Sequence, residues 1–260
     1  MKKVAFWPWL WVVLGGLYFL LPLYATLDFS LRAKRGVLGL TAYASVLHNP
    51  KFVQTFAFSL RMAVFTIVVS ILLMVPTVYW VHLRVPRLRP MVEFVTLLPF
   101  VVPAIVHVFG LIKTYSQPPL VLVVSPALLV GAYVVLSFPY MYRAIDTGLR
   151  ALDVRTLTEA AQSLGAGWGT ILFRVILPNL RVALLSGAFL TFSIVMGELT
   201  LALYLAWPAF GPFMYQIGQN RAYEPAALAI ISLALTWLSI GLIQLFGRGH
   251  AGQAQIAGAK

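Results

Sequence analysis

The chain has 260 residues, 61% of them apolar and 10% charged, with a mean hydropathy of +0.90. Soluble domains carry about 45–50% apolar and about 25% charged residues, so this composition excludes soluble enzymes and nucleic-acid-binding domains. The formal charge of +12 then reads as basic cytoplasmic loops beside anionic lipid. The absence of cysteine excludes a disulfide framework, thiolate catalysis and a Cys-ligated metal.

A helix needs about 20 apolar residues to cross ~30 Å of hydrocarbon. The charge-poor stretches predict an all-α membrane protein with six transmembrane helices, about 5–27, 55–83, 91–112, 120–142, 182–206 and 225–246. Lys2 and Lys3 precede the first apolar run, as in a signal peptide. The run far exceeds the roughly 7–15 residues of a signal's apolar core, so a permanent span is expected. Residues 28–54 form a long loop containing Gly36, Gly39, Asn49 and Pro50. Arg61 lies inside the second span, where it either faces a water-filled path or snorkels to the interface. In the third span Pro99 and Pro103 precede His107. Prolines kink helices, and kinked helices often line cavities, so His107 is a pathway candidate as well as an ordinary core histidine.

The loop 143–181 holds Asp146, Asp153 and Glu159. Thr156 followed by Glu159 is a capping-box pattern that starts a helix. Ala160, Ala161 and Leu164 give that helix a small apolar face, and Gly165, Gly167 and Gly169 around Trp168 end or bend it. Helical spacing resumes over Thr170–Leu177 and stops at Pro178. Two short helices with a tight turn suit docking into a protein groove. Glu159 serves either as a cap or as a charged contact, and Gly165 either as a terminator or as a close-packed contact point. Trp168 suits a lipid interface.

Glu198 lies within the fifth span, at a depth close to that of Arg61, and the two are expected to face the path, with pairing as one arrangement open to them. A purely structural hydrogen bond is the other reading of Glu198. Tyr204, Trp207 and Tyr215 form an interfacial belt or a docking contact, and Gly211–Pro212 suggests a turn. The tail Gly247–Lys260 is rich in Gly, Ala and Gln and reads as frayed.

With the N-terminus inside, the inner segments hold Lys2, Lys3, Arg84, Arg87, Arg89, Arg143, Arg150, Arg155, Arg174, Arg181, Arg248 and Lys260, which makes 12. The outer segments hold Arg32, Lys34, Arg35, Lys51, Lys113 and Arg221, which makes 6. The bias places both termini in the cytoplasm.

Glu159-Ala160-Ala161, then Gly165 after three residues, then Val175-x-Leu177-Pro178 after nine, resembles the EAA loop of binding-protein-dependent ABC importer permeases. The family usually has Ile in place of Val175. The resemblance runs over roughly 52–246. It implies the type I (MetI-like) importer permease fold, with 1–260 as one permease domain of the bacterial inner membrane. It also implies that Glu159, Ala160, Ala161, Gly165, Leu177 and Pro178 couple the chain to a cytoplasmic ATPase dimer. A second permease subunit and an extracytoplasmic solute-binding protein would complete the importer. The chain itself would bind no cofactor, ATP and Mg residing on the ATPase. Leu164 stands where the family's sugar branch has an acidic residue. Gly197-Glu198-Leu199-Thr200 resembles the polyamine, iron and oxyanion branches. A buried carboxylate suits a cationic amine, so a polyamine is the first expectation; an oxyanion, phosphonate or iron solute is the alternative.

Rival classes lack their motifs. No Gly is followed two residues later by Ser, no His precedes Glu, and no Gly-Lys pair occurs, which argues against intramembrane proteases and a P-loop. An ion-coupled secondary transporter would need repeated halves and more intramembrane carboxylates than Glu198 alone.

Overall fold

The computed structural model describes residues 6–34 and 37–248. Lys2, Lys3, Arg35, Gly36 and the tail beyond Arg248 lie outside the described residues. Every main element is a helix, as a hydrocarbon environment requires, because only a helix satisfies its backbone within one segment.

The chain forms two compact units. The first comprises residues up to Val53 and Phe213–Trp237. It contains α1 (Phe6–Leu31), α2 (Thr41–Leu47) and most of α11 (Phe210–Asn220) and α12 (Tyr223–Arg248). α1 exposes Trp7, Trp9, Trp11, Tyr18 and Phe19, the surface of a helix facing lipid. Its C-terminal end is tied by Ser30 Oγ to Tyr43 Oη at 2.7 Å and by Phe29 against Tyr223, ring centres 4.7 Å apart. Arg221 donates to Ser45 at 2.7 Å and to Glu224 at 3.0 Å.

The second unit spans Gln54–Pro212, with the residues from Leu238 onward. α3 (Pro50–Arg84) has 35 residues, about 52 Å at helical rise, so it projects beyond the hydrocarbon. α4 (Arg89–Val101) and α5 (Ala104–Tyr115) meet at 96°. The sequence predicts one span over 91–112 with a proline kink, and the structure has two separate helices. The span breaks because Pro103 has no amide to donate and pushes Val102 into extended backbone, φ −87° and ψ 116°. α6 (Pro126–Arg150) is capped by Ser125, whose Oγ accepts from the Ala127 amide at 3.2 Å. α7 (Val154–Ser163) and α8 (Trp168–Asn179) form the elbow, and α8 meets α9 (Arg181–Gly197) at 77°. The fifth span therefore differs from the expected 182–206. It ends at Gly197, Glu198 is extended, and only the short α10 (Thr200–Tyr204) follows.

Gly211 and Pro212 lie inside α11, so the turn expected there falls earlier, over residues 205–209, with Ala206 at φ 59°. Among the described residues three helices, or five segments if each bent pair is one span, are long and apolar enough to cross a membrane, and Tyr223–Leu235 in α12 is a shorter apolar stretch.

Two buried clusters organise the second unit. One gathers Met62, Val108, Leu129, Tyr133, Val195 and Leu201. The other gathers Val78, Tyr79, Met141, Ile145, Leu149, Ile171, Ile176 and Leu180, and so fuses the elbow to α3 and α6. Ser70 and Ser137 share a buried hydrogen bond of 2.8 Å between α3 and α6, polar glue of the kind membrane helices use.

Candidate functional site, the elbow and the path

α7 starts at Asp153, not at the Thr156–Glu159 box expected from the sequence. The Asp153 carboxylate accepts from the Thr156 amide at 3.1 Å and from the Thr156 hydroxyl at 2.7 Å. Glu159 instead accepts from Arg155 Nε at 2.8 Å on the exposed face, an i,i+4 pair worth a few tenths of a kcal/mol. The Thr156 side chain and amide hold the Asp153 carboxyl below the usual carboxylate range. The cap is therefore in place above that range and is lost as pH falls through the lowered value. Asp153→Ala is expected to remove the cap and to raise amide exchange in α7 at neutral pH. Hydrogen-exchange mass spectrometry measures this.

The inner face of α7 is anchored. Val154 and Thr158 are buried, and Ala161 packs against the same cluster. Thr158 Oγ1 meets Tyr79 Oη of α3 at 2.9 Å and donates to the Val154 carbonyl at 2.6 Å. The helix ends in a Schellman motif: the Gly165 amide donates to Gln162 O at 2.8 Å and the Ala166 amide to Ala161 O at 3.0 Å. Gly165 takes φ +79°, which a side chain would strain. Nothing in the chain packs on it, so its role within this chain is to terminate the helix.

The opposite face, with Glu159, Ala160 and Gly165, is exposed. Leu164 at its tip is 89% exposed, an apolar side chain that nothing in this chain covers. In α8, Ile171 and Ile176 are buried while Val175, Leu177 and Pro178 are half-buried. The stretch Ile171–Ile176 has π-helical hydrogen bonding, a wider turn that often marks functional segments. Asn179 Nδ2 donates to the Val175 carbonyl at 2.7 Å.

Trp168 does more than sit at an interface. Its ring lies 5.7 Å from that of Trp80, and the Arg84 guanidinium stands 5.4 Å from Trp168 and 5.8 Å from Trp80. This cation–π cluster and the Tyr79–Thr158 bond join the elbow to the end of α3. A third tie was also missed in the sequence. Asp146, 5% exposed, binds His82 Nε2 at 2.7 Å, Arg89 at 2.8 and 3.1 Å, and Arg150 at 2.9 and 3.0 Å. The carboxylate thus gathers the C-terminal ends of α3 and α6 and the N-terminal end of α4. The only available signal was an acidic residue beside a basic inner rim.

Arg61 and Glu198 do not pair in this structure. Arg61 is exposed and donates through Nε to the Ala57 carbonyl at 3.3 Å. Glu198 accepts from the Leu201 amide at 2.9 Å, the Ala202 amide at 3.2 Å and the Tyr133 hydroxyl at 3.4 Å. It caps α10, so the structural reading of Glu198 holds here. The Gly211 backbone presses on the Glu198 carbonyl so closely that no Cβ fits. His107 is half-buried on a cavity of about 250 Å³ shared with Pro99, Val102 and Phe138, at the break between α4 and α5. Trp207 stacks on Phe58 at 5.8 Å with its indole nitrogen buried, so it belongs to the packing and not to an interfacial belt. Tyr204 and Tyr215 are exposed. Among the described residues no group of three or more His, Asp or Glu could hold a metal ion.

The family described as "binding-protein-dependent transport system inner membrane component" matches residues 55–249. The spermidine/putrescine transport system permease protein PotC of Escherichia coli K12 is 26% identical over 212 residues, covering 79% of this chain and 78% of that protein. The molybdenum transport system permease protein ModB of the same organism is 33% identical over 125 residues, covering 45% of this chain and 54% of its own length. A chain in the crystal structure of a bacterial alginate ABC transporter, in complex with alginate pentasaccharide-bound periplasmic protein, shares the fold at a TM-score of 0.70. It is 14% identical, with 95% of each chain covered.

Proposed function

From the premise that this chain belongs to the binding-protein-dependent transport system inner membrane components, and is a permease subunit of an ABC importer, we propose that its elbow is the docking point for a partner ATPase. The carrying observation is the two-sided elbow. One face is bonded to α3 through Thr158 and Trp168, and the other offers Glu159, Ala160, Leu164 and Gly165 to something outside the chain. Residues 1–260 act as one permease domain in the inner membrane, with both termini cytoplasmic. A second permease chain supplies the other half of the path and a binding protein delivers solute from outside. ATP and Mg stay on the ATPase, whose closure drives the spans between inward- and outward-open states. Glu159→Ala, and Gly165→Val with its αL strain of about 1–2 kcal/mol, are expected to lower transport-coupled ATP hydrolysis by several-fold while the spans stay folded. ATPase assays of the reconstituted complex with and without binding protein check this; unchanged coupling in both variants contradicts the docking role.

The solute we propose is a polyamine-type cation. The name of PotC, which aligns over most of this chain, and the carboxylate of Glu198 at the break after α9 support that reading. His107, at the helix break, and Arg61 are the other proposed path residues. A second reading, an oxyanion, is favoured by the exposed Arg61 and by the likeness to ModB. Calorimetry on the cognate binding protein is expected to show tight spermidine or putrescine binding. Molybdate binding without polyamine binding would select the second reading.

A further inference from the structure

Two hollows adjoin at the basic end of α6. The first is polar, about 320 Å³, and lined by Glu93, Tyr142, Arg143, Asp146, Thr147 and Arg150. The second is a groove of about 790 Å³ running along α4, α6 and α9, with Leu97, Phe100, Ala144, Val182 and Leu190 among its walls. Arg143 and Thr147 line both, so the polar hollow opens onto the apolar groove.

The charges in the polar hollow are balanced and incompletely used. Asp146 is saturated by its three basic partners. Glu93 and Arg143 stand opposite each other at 3.5 Å, their side chains 38% and 74% exposed, a loose contact that leaves both free for a ligand. Arg150 spends its guanidinium on one edge of Asp146 and is 56% exposed. Tyr142, 3% exposed, forms part of the wall with its hydroxyl buried on the Arg89 side. The site lies in the last turns of α6 and the first turns of α4, with Arg89 on Asp146, at the depth where headgroups meet a basic rim.

We propose that this chain holds one phospholipid with a primary ammonium in its headgroup, of the phosphatidylethanolamine class. The phosphate lies between Arg143 and Arg150, the ammonium meets Glu93, and an acyl chain fills the groove. The groove selects a lipid over free phosphate. Glu93, the lining acid that is not already held by several bases, selects a zwitterion over an anionic headgroup. Glu93 selects a primary ammonium, which has N–H donors, over a choline, which has none. Bound there, the lipid would bridge α4 to α9 at the inner rim.

Native mass spectrometry of the assembled transporter, with phosphatidylethanolamine, phosphatidylcholine and phosphatidylglycerol of identical acyl chains titrated in, tests the site. The expected result is retention of phosphatidylethanolamine about tenfold above phosphatidylcholine, the weight of one charge-assisted hydrogen bond. Glu93→Gln should erase that preference without lowering phosphatidylcholine retention, and Arg143→Gln should lower retention of all three. Equal retention of ethanolamine and choline lipids by the wild type, preference for phosphatidylglycerol, or displacement by millimolar inorganic phosphate would overturn the proposal. So would a disulfide between cysteines placed at Val182 and on the second permease chain, because the groove would then be filled by protein. The wild-type comparison does not depend on any variant folding.

Discussion

Gly148→Val is expected to remove the folded permease from the membrane. A Cβ at Gly148 would stand 2.6 Å from Ala183 Cβ and 2.9 Å from Leu180 Cδ2, so α6 and α9 touch almost backbone to backbone. Small residues give membrane helices that close approach, and without a hydrophobic drive between helices it supplies much of their attraction. Ala183 has no flexible arm to withdraw. Gly148→Ala should therefore cost near the upper end of the ~1–3 kcal/mol typical of overpacking, and valine more. Gly187 is the control on the same seam. Its added Cβ would meet the Met141 sulfur at 2.8 Å and Ala144 Cβ at 3.2 Å, and a thioether can turn aside. Gly187→Ala should cost less than Gly148→Ala. Membrane-inserted yield and thermal unfolding in detergent rank the variants, and the opposite order would refute the close-contact account.

The second large effect is expected at Asp146. Replacing it with Asn leaves His82, Arg89 and Arg150 around a group that cannot balance them. Breaking a buried ion pair on one side costs ~3–5 kcal/mol. Arg150 is half in solvent and relaxes cheaply, so the loss falls mainly on Arg89, and the lower end of that range is expected. The gathered ends of α3, α4 and α6 should loosen together, seen as faster amide exchange around His82, Arg89 and Asp146. Asp146→Asn combined with Arg89→Leu should recover part of the stability, because the stranded charge is then gone. If the double variant is no more stable than the single one, the hub is not what holds these ends.

Legibility in the sequence followed the kind of physics involved. The apolar runs marked the spans because hydrocarbon thickness fixes length, and the elbow was readable because its Glu-Ala-Ala, Gly and Leu-Pro spacing is dense. Gly165 was open between two roles; its φ of +79° shows it ending the helix, and its contact with a partner belongs to the proposal. The cap was misplaced by three residues because Thr156 and Asp153 are both good cap residues, and only geometry shows which carboxylate faces the free amides. The breaks at Val102–Pro103 and Gly197–Glu198 were hidden because charge-free stretches show length and not direction. Proline told of a kink but not of a 96° bend. Arg61 and Glu198 matched in depth along their helices, but depth says nothing about facing. Glu198 turned to the amides of its own chain, where two hydrogen bonds were at hand. Asp146, Trp80 and Tyr79 were illegible because each depends on long-range neighbours brought together by packing.

The central claim is that the exposed face of the elbow touches a motor subunit. The chain contains no cysteine, so Leu164→Cys is a single-cysteine protein without further engineering. Disulfide trapping of that residue against cysteines placed across the partner ATPase, in the assembled complex with and without ATP, measures the contact directly. The account predicts a cross-link to the ATPase whose yield changes with nucleotide. A transport-active complex in which Leu164→Cys links to no ATPase position in any nucleotide state would contradict it.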